Sequence, residues 1–348
     1  MTSEILTLYV GTYTDSFYAF HFHCGTGEVV SKGPFAEAPG ALAKAPVTHP
    51  SYLAVRNPRV YAVSEVGDCN AAVSAWQFDG KHFTALGSRP VGIPGQDKDP
   101  CYVATDGRRL AVANYTGGTL AVYTLREDGS FSPVEALIAS GTGGPDPRRQ
   151  SLPHLHCAVF APDGKYLLYS EFSADTIGCF PLGTVLVAEK ARTAATLPAD
   201  FGPRHLIFDA AGTHCYVLGE LSGDIAVFDY ADGQLVRRQI VKADAVGARG
   251  AADLHLSPDG RFLYASLRLQ NDGIAIFRVE ADGSLTPAGY RNTGIHPRNF
   301  NITPDGRWIL VCCRDDDAIE IYRRGAADGQ LTDTGRRIRV PRPVFAGW

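Results

Sequence analysis

The chain has 348 residues, is 45% hydrophobic and 20% charged, and carries a formal net charge of -4. That balance is of a globular protein with ample core, and without a bulk basic field it speaks against nucleic acid as a partner. No apolar run reaches the length of a membrane span, and the opening MTSEILTLYVGTY has neither the basic nor the long apolar segment of an export signal, so a cytoplasmic protein with no membrane partner is expected.

Along the chain, TLYVGTY near the N-terminus reads as a strand that lacks the strand which should precede it. From His49 a unit of about 50 residues then recurs, the period of propeller blades. Its first copies are HPSYLAVRNPRVYAVSEVGDCNAAVSAWQF from His49 and DPCYVATDGRRLAVANYTGGTLAVY from Asp99. Clearer copies follow at Leu152–Phe180, Gly202–Phe228, Gly250–Phe277 and His296–Tyr322, aligned on Pro-Asp-Gly or a relative of it. Each is an apolar run, a tight turn, a second apolar run, a polar turn and a third run; in the second blade the strands are expected at Ser51–Val55, Val60–Glu65, Val73–Phe78 and His82–Ser88. Runs such as LYASL and LAVAN are apolar on both faces, as in sheets covered by neighbouring sheets, and helical periodicity is absent.

After a last strand at Gln330–Arg339 the chain ends in VPRPVFAGW, whose Pro343-Val344-Phe345 resembles the Pro50-Ser51-Tyr52 that opens a first strand. This tail is expected to pair beside Leu6–Thr12. The predicted fold is therefore all-β: a seven-bladed β-propeller of four-stranded antiparallel blades, one domain over residues 1–348, its ring closed by the C-terminal strand on the N-terminal blade. Ala36–Thr48, Val91–Lys98, Ser140–Ser151 and Val246–Gly250 are the long, irregular connections expected to form the mouth of a site. The eight cysteines show no CxxC pair and mostly sit in apolar runs, as buried thiols in a reducing compartment do.

A propeller fixes where a site can be, because the start of each first strand lies beside the end of the second. The first-strand entry positions are Ser51, Cys101, His156, Arg204, Ala252, Arg298 and Val344; the second-strand exits are Tyr13, Glu65, Asn114, Glu171, Glu220, Arg268 and Arg314. Both sets should meet at one mouth. Ion pairs between blades would explain any one of these charges, but the strong cations are all arginine, the residue suited to bidentate carboxylate or phosphate binding. His154 and His156 sit two apart in PHLHCAVF, which alternation would place on one side; no third ligand has metal spacing, so neither metal nor cofactor is expected and an imidazole acid or base is favoured. His49, His205 and His296 flank the same mouth; the sequence leaves open whether the Ser140–Ser151 loop folds over it, where Arg148 and Arg149 would be solvated or, for a phosphate ligand, of interest.

VANYTGGTLAVY at Val112, PHLHCAVFAPDGKYL at Pro153, GPRHLIFDAAGTHCYVLGE at Gly202 and HPRNFNITPDGRWILV at His296 together resemble the seven-bladed lactonase propellers, which include cycloisomerase-type 6-phosphogluconolactonases and carboxymuconate lactonizing enzymes. The resemblance implies a metal-independent His, Arg and Glu site: His154 and His156, Arg204, Glu220, and Arg268 from a later blade, where Leu267 replaces the family's Asn. Substrate contacts would come from Arg268, Arg298, Asn114, Glu171, Glu65 and Arg314. Glu220 or His156 would activate water, Arg204 would steady the oxyanion, and the small-molecule partner would be an anionic lactone or sugar acid. Two other readings are a cycloisomerase and a non-catalytic binding propeller; the Trp-Asp dipeptide of WD-type propellers is absent. A quinone-dependent dehydrogenase is disfavoured because repeated Trp docking motifs are missing.

Overall fold

The computed structural model of the protein describes residues 4–93, 96–141 and 143–348. Pro94 and Gly95 of the Val91–Lys98 connection, Thr142 of Ser140–Ser151, and Met1–Ser3 lie outside the described residues. Among the described residues the strands form seven antiparallel sheets, each a blade in chain order. Blades 2 to 7 span residues 53–90, 98–139, 155–196, 203–242, 251–292 and 297–339, with four strands each. This is the architecture of a seven-bladed β-propeller.

Blade 1 is composite, as the broken repeat at each end of the chain predicts. Pro343–Gly347 pairs antiparallel with Ile5–Thr12, which pairs with Ser16–His23. Its outer edge departs from expectation: Glu28–Val29 and Ala43–Pro46 both pair with Ser16–His23, so the connection expected at Ala36–Thr48 holds a strand. The expected strands of blade 2 appear within two residues, as Leu53–Arg56, Arg59–Ser64, Ala72–Phe78 and Phe83–Pro90. Helix is confined to the short 3-10 turns Ala188–Lys190 and Arg314–Asp316.

The recurring turn has a local cause. Gly164, Gly260 and Gly306 of the Pro-Asp-Gly turns have φ of 68°, 68° and 71°, a region open to glycine, and the preceding Asp accepts from the N–H two residues on: Asp163 from Lys165 at 2.9 Å and Asp305 from Arg307 at 3.0 Å. Burial of the apolar runs completes each blade. The chain divides into two compact units, one of Met1–Pro50, Phe78–Phe83 and Lys242–Trp348, the other of Ser51–Gln77 and Thr84–Val241. The first has cores around Leu8, Phe20, Trp308 and Leu310, and around Tyr264, Phe300 and Val311; the second has cores around Val217 and Phe228, around Tyr61 and Val112, and around Leu155 and Leu167.

Candidate functional site

The entry positions singled out by the repeat have a structural signature. In six of the seven sheets the register between first and second strand slips there: at Cys101, His156, Arg204, Ala252 with Asp253, Arg298 and Val344. In blade 4, Cys157 faces Ser170 but Leu155 faces Glu171, which leaves His156 as the extra residue. Such bulges break strict alternation and re-aim a side chain. His154 accordingly lies just before the strand Leu155–Phe160, and the expectation that alternation alone aligns it with His156 does not hold. The two rings converge by another route, on Tyr115: His154 stacks on it at 4.0 Å and 5°, and His156 meets it edge-on at 5.8 Å.

In the second unit these residues form one cluster. Glu220, at the end of the strand His214–Gly219, is 6% exposed, and Arg204 is 2% exposed. Glu220 Oε2 accepts from Arg204 Nε at 3.0 Å, and its Oε1 accepts from an Arg149 guanidinium nitrogen at 2.7 Å. Arg204 also donates to His205 Nε2 at 3.0 Å, which fixes that ring with its proton on Nδ1. His156 and His205 lie 5.3 Å apart, and His205 in turn meets the stacked rings of Tyr52 and Tyr102.

Arg149 is the residue whose place the sequence left open. Its loop folds back because buried Gln150 donates to Phe172 O and Asp175 Oδ1, both at 2.9 Å, while Asp146 accepts from the N–H groups of Arg148 and Arg149. The Arg149 guanidinium lies over Phe172 at 5.3 Å. Burial opposes its charge, but the Glu220 carboxylate and Tyr115 hold its pKa above the ordinary arginine range. With a side chain 42% exposed, it is the open cation of the pair that flanks Glu220. The signal was present in GTGGPDPRRQ: two arginines after an Asp that can turn the chain.

His154 has a defined tautomer. Its Nδ1 lies 2.8 Å from the carbonyl oxygen of Tyr115, which can only accept, so Nδ1 carries the proton and Nε2 the lone pair. Burial and the Arg149 charge depress its pKa below the usual histidine value. Glycine makes the approach possible: at Gly118, φ 61°, a Cβ would stand 2.7 Å from Pro153 Cβ.

The other expected contacts have neighbours of their own. Glu171 accepts from Ser140 Oγ at 2.9 Å, has its pKa raised by burial, and lines a cleft of about 400 Å³ with Tyr169 and Arg192. Asn114 is fully buried and donates to Thr119 Oγ1 at 2.9 Å across its own hairpin, a structural use. Glu65 is half-buried at the exit of its blade. In the first unit, Arg268 donates to His296 Nε2 at 3.1 Å, Arg314 makes a two-pronged pair with Asp315 at 2.7 and 2.8 Å, and Arg298 lies over the Tyr13 ring at 5.2 Å. Among the described residues no three His, Cys, Asp or Glu side chains group as metal ligands, and no helix is long and apolar enough to cross a membrane.

Residues 7–348 match the family model for the lactonase, 7-bladed beta-propeller. A 6-phosphogluconolactonase of Formosa agariphila is 32% identical over 70% of this chain and 72% of its own, and one of Bacillus subtilis is 29% identical over 97% and 96%. A solved structure from Bacteroides fragilis, described as a candidate 6-phosphogluconolactonase, is 40% identical with a TM-score of 0.91, covering 100% of this chain and 98% of that one. The periplasmic gluconolactonase of Pseudomonas aeruginosa is 30% identical with a TM-score of 0.89, covering 99% and 98%. With a fold, a repeat and a family match that run through nearly every residue, the chain belongs to the seven-bladed β-propeller lactonases.

Proposed function

We propose that this protein hydrolyses the ring ester of a sugar-acid lactone, with 6-phosphogluconolactone as first substrate, by metal-independent acid-base catalysis on His154, His156, Arg204 and Glu220. The observation that carries the reading is the neutral His154, its Nδ1–H spent on a carbonyl and its Nε2 lone pair left as a base, beside a carboxylate gripped by two guanidinium groups.

Water attacks the lactone carbonyl as His154 Nε2 takes its proton. The positive charge of Arg149 and Arg204 stabilises the tetrahedral oxyanion. Collapse breaks the ring C–O bond, and the imidazolium or His156 returns a proton to the leaving alkoxide. The new carboxylic acid then releases a proton, so turnover acidifies the medium. Glu220 holds the arginines in place, which revises the expectation that it activates water: both of its oxygens already accept from guanidinium groups. Arg268, Arg298 and Arg314 are the proposed anion contacts. All eight thiols are free, which suits a reducing, cytoplasmic setting.

Proton release measured with gluconolactone, 6-phosphogluconolactone and muconolactones tests the reading. Turnover of a sugar-acid lactone is expected, with His154→Gln lowering kcat/KM by at least about 100-fold. Muconolactone turnover alone would favour a cycloisomerase, and inertness toward every lactone would favour a binding module.

A further inference from the structure

Glu171 is a carboxylate without a counter-ion. It ends the strand Tyr166–Glu171, is half-buried, and accepts from Ser140 Oγ at 2.9 Å through Oε2. Among the described residues no donor reaches its Oε1 and no cation pairs with the side chain. Burial raises its pKa, and only the Ser140 hydroxyl opposes that shift. A carboxylate withdrawn from water is costly until an opposite charge joins it.

The side chain lines the cleft of about 400 Å³ where the outer strand of blade 3 meets blade 4, a volume that suits a small molecule. That strand, Ala136–Ala139, is outermost in its sheet, so one of its edges lacks a strand partner. The Ser140 N–H points inward, to Gly118 O at 2.8 Å, and across a trans peptide the Ala139 carbonyl therefore points outward, to the open edge. Tyr169 supplies a fixed aromatic wall: it is 3% exposed and lies so close to Gly178 that a Cβ there would stand 2.1 Å from its Cζ. Glu189, exposed on the turn Ala188–Lys190, adds negative charge at the rim. Arg192 also borders the cleft, but its guanidinium is engaged elsewhere, over the Tyr166 ring at 5.8 Å and against Gly233, where a Cβ would stand 2.8 Å from its Nη2.

We propose that this cleft binds a small organic ammonium ion, whose N–H groups pair with Glu171 and the Ala139 carbonyl while its carbon body lies against Tyr169. An ammonium group has three donors and no acceptor, which matches a wall of bare acceptors. A bare metal ion fits less well, since among the described residues no three ligating side chains gather there. The site does not rest on the lactonase reading.

Calorimetric titration of the full-length protein with n-butylamine and benzylamine, both cations at neutral pH, tests the site against n-butanol and butyrate, with thermal melting as a second readout. The amines are expected to bind and to raise Tm, and the alcohol and the carboxylate to do neither. Glu171→Gln should weaken amine binding by at least about tenfold. Because it removes an uncompensated charge yet keeps an acceptor for Ser140, it should leave the Tm of the ligand-free protein unchanged or higher. Ala139→Phe fills the cleft from an exposed position without altering any charge; it should weaken binding likewise, and it carries the comparison if Glu171→Gln does not fold. Glu127→Gln, which removes an exposed carboxylate elsewhere in the same unit, should leave binding unchanged. Failure of wild type to bind either amine, an equal response to n-butanol, or undiminished affinity in the folded variants would overturn the site. A lower ligand-free Tm in Glu171→Gln with amine binding intact would likewise overturn it, and would make Glu171 an anchor for Ser140 alone.

Discussion

His154 owes its chemistry to one hydrogen bond and one neighbouring charge. The Tyr115 carbonyl fixes the tautomer, and Arg149 helps depress the pKa. Only the neutral ring can act as a base, so the acid limb of kcat/KM should fall below pH 6.5, the ordinary histidine value. In Arg149→Gln one depressing charge is gone, and the limb should move up toward 6.5; a limb that stays in place would refute the coupling. Glu220→Gln keeps the shape of the side chain but not its charge, and leaves Arg204, 2% exposed, without its ionic partner. Lactone turnover should drop by about 100-fold or more while the fold survives with a lower Tm, because a buried cation has lost its compensation. His296 titrates near pH 6.5 in the unfolded chain and near 3 in the folded one. Between those values only the unfolded chain takes up the proton. Stability, complete above pH 6.5, should therefore fall as pH drops toward 3, by no more than about 1.4 kcal/mol per unit from this group. Urea unfolding of His296→Gln should show a flatter slope across that window.

A strap invisible in single residues appears at the scale of the element. The residue two before a first-strand entry position is left-handed and precedes proline in His49, Asp99, Gly202, His296 and Arg342, with φ of 46°, 50°, 58°, 60° and 42°. In each case its N–H is held from the turn that opens the third strand of the preceding blade: by Thr14 O, Val66 O, Asp175 Oδ1, Asp272 Oδ2 and Asp317 Oδ1, at 2.7 to 3.0 Å. Asp272→Ala should cost about 1–3 kcal/mol in chemical denaturation, since it orphans a half-buried amide at a strained position. Those aspartates recur at one offset, in SADT, QNDG and DDDA, so the strap had a signal in the repeat. The bulges had none. Period-two alternation assumes an unbroken ladder, which is why it misjudged how His154 comes to lie near His156. Arg149 escaped for a different reason: its placement depends on Gln150 and Asp175 packing across 25 residues of chain, beyond any local pattern.

At the scale of the molecule, most of the architecture could be read from recurrence alone, including the pairing of the tail with the first blade. Repetition records the turns and apolar runs because every copy needs them, whereas the split outer edge of blade 1 occurs once and leaves no period to detect. Removal of residues 341–348 takes away the strand beside Ile5–Thr12 and exposes its edge, so the truncated protein should lose its cooperative melting transition. An unchanged Tm would mean that the pairing contributes little. The intact chain should unfold in one transition by calorimetry, as expected of a single domain.

The composite blade also sets an order of events during synthesis. A ribosome adding about 5–20 residues per second needs on the order of half a minute between making Ile5–Thr12 and its partner Pro343–Gly347. Throughout that interval Ile5–Thr12 has an unmatched ladder edge, and blade 1 stays unfinished until Pro343–Gly347 is made. Nascent-chain pausing before residue 343 should leave that segment open to protease, and a circular permutant that joins the present termini would remove the wait.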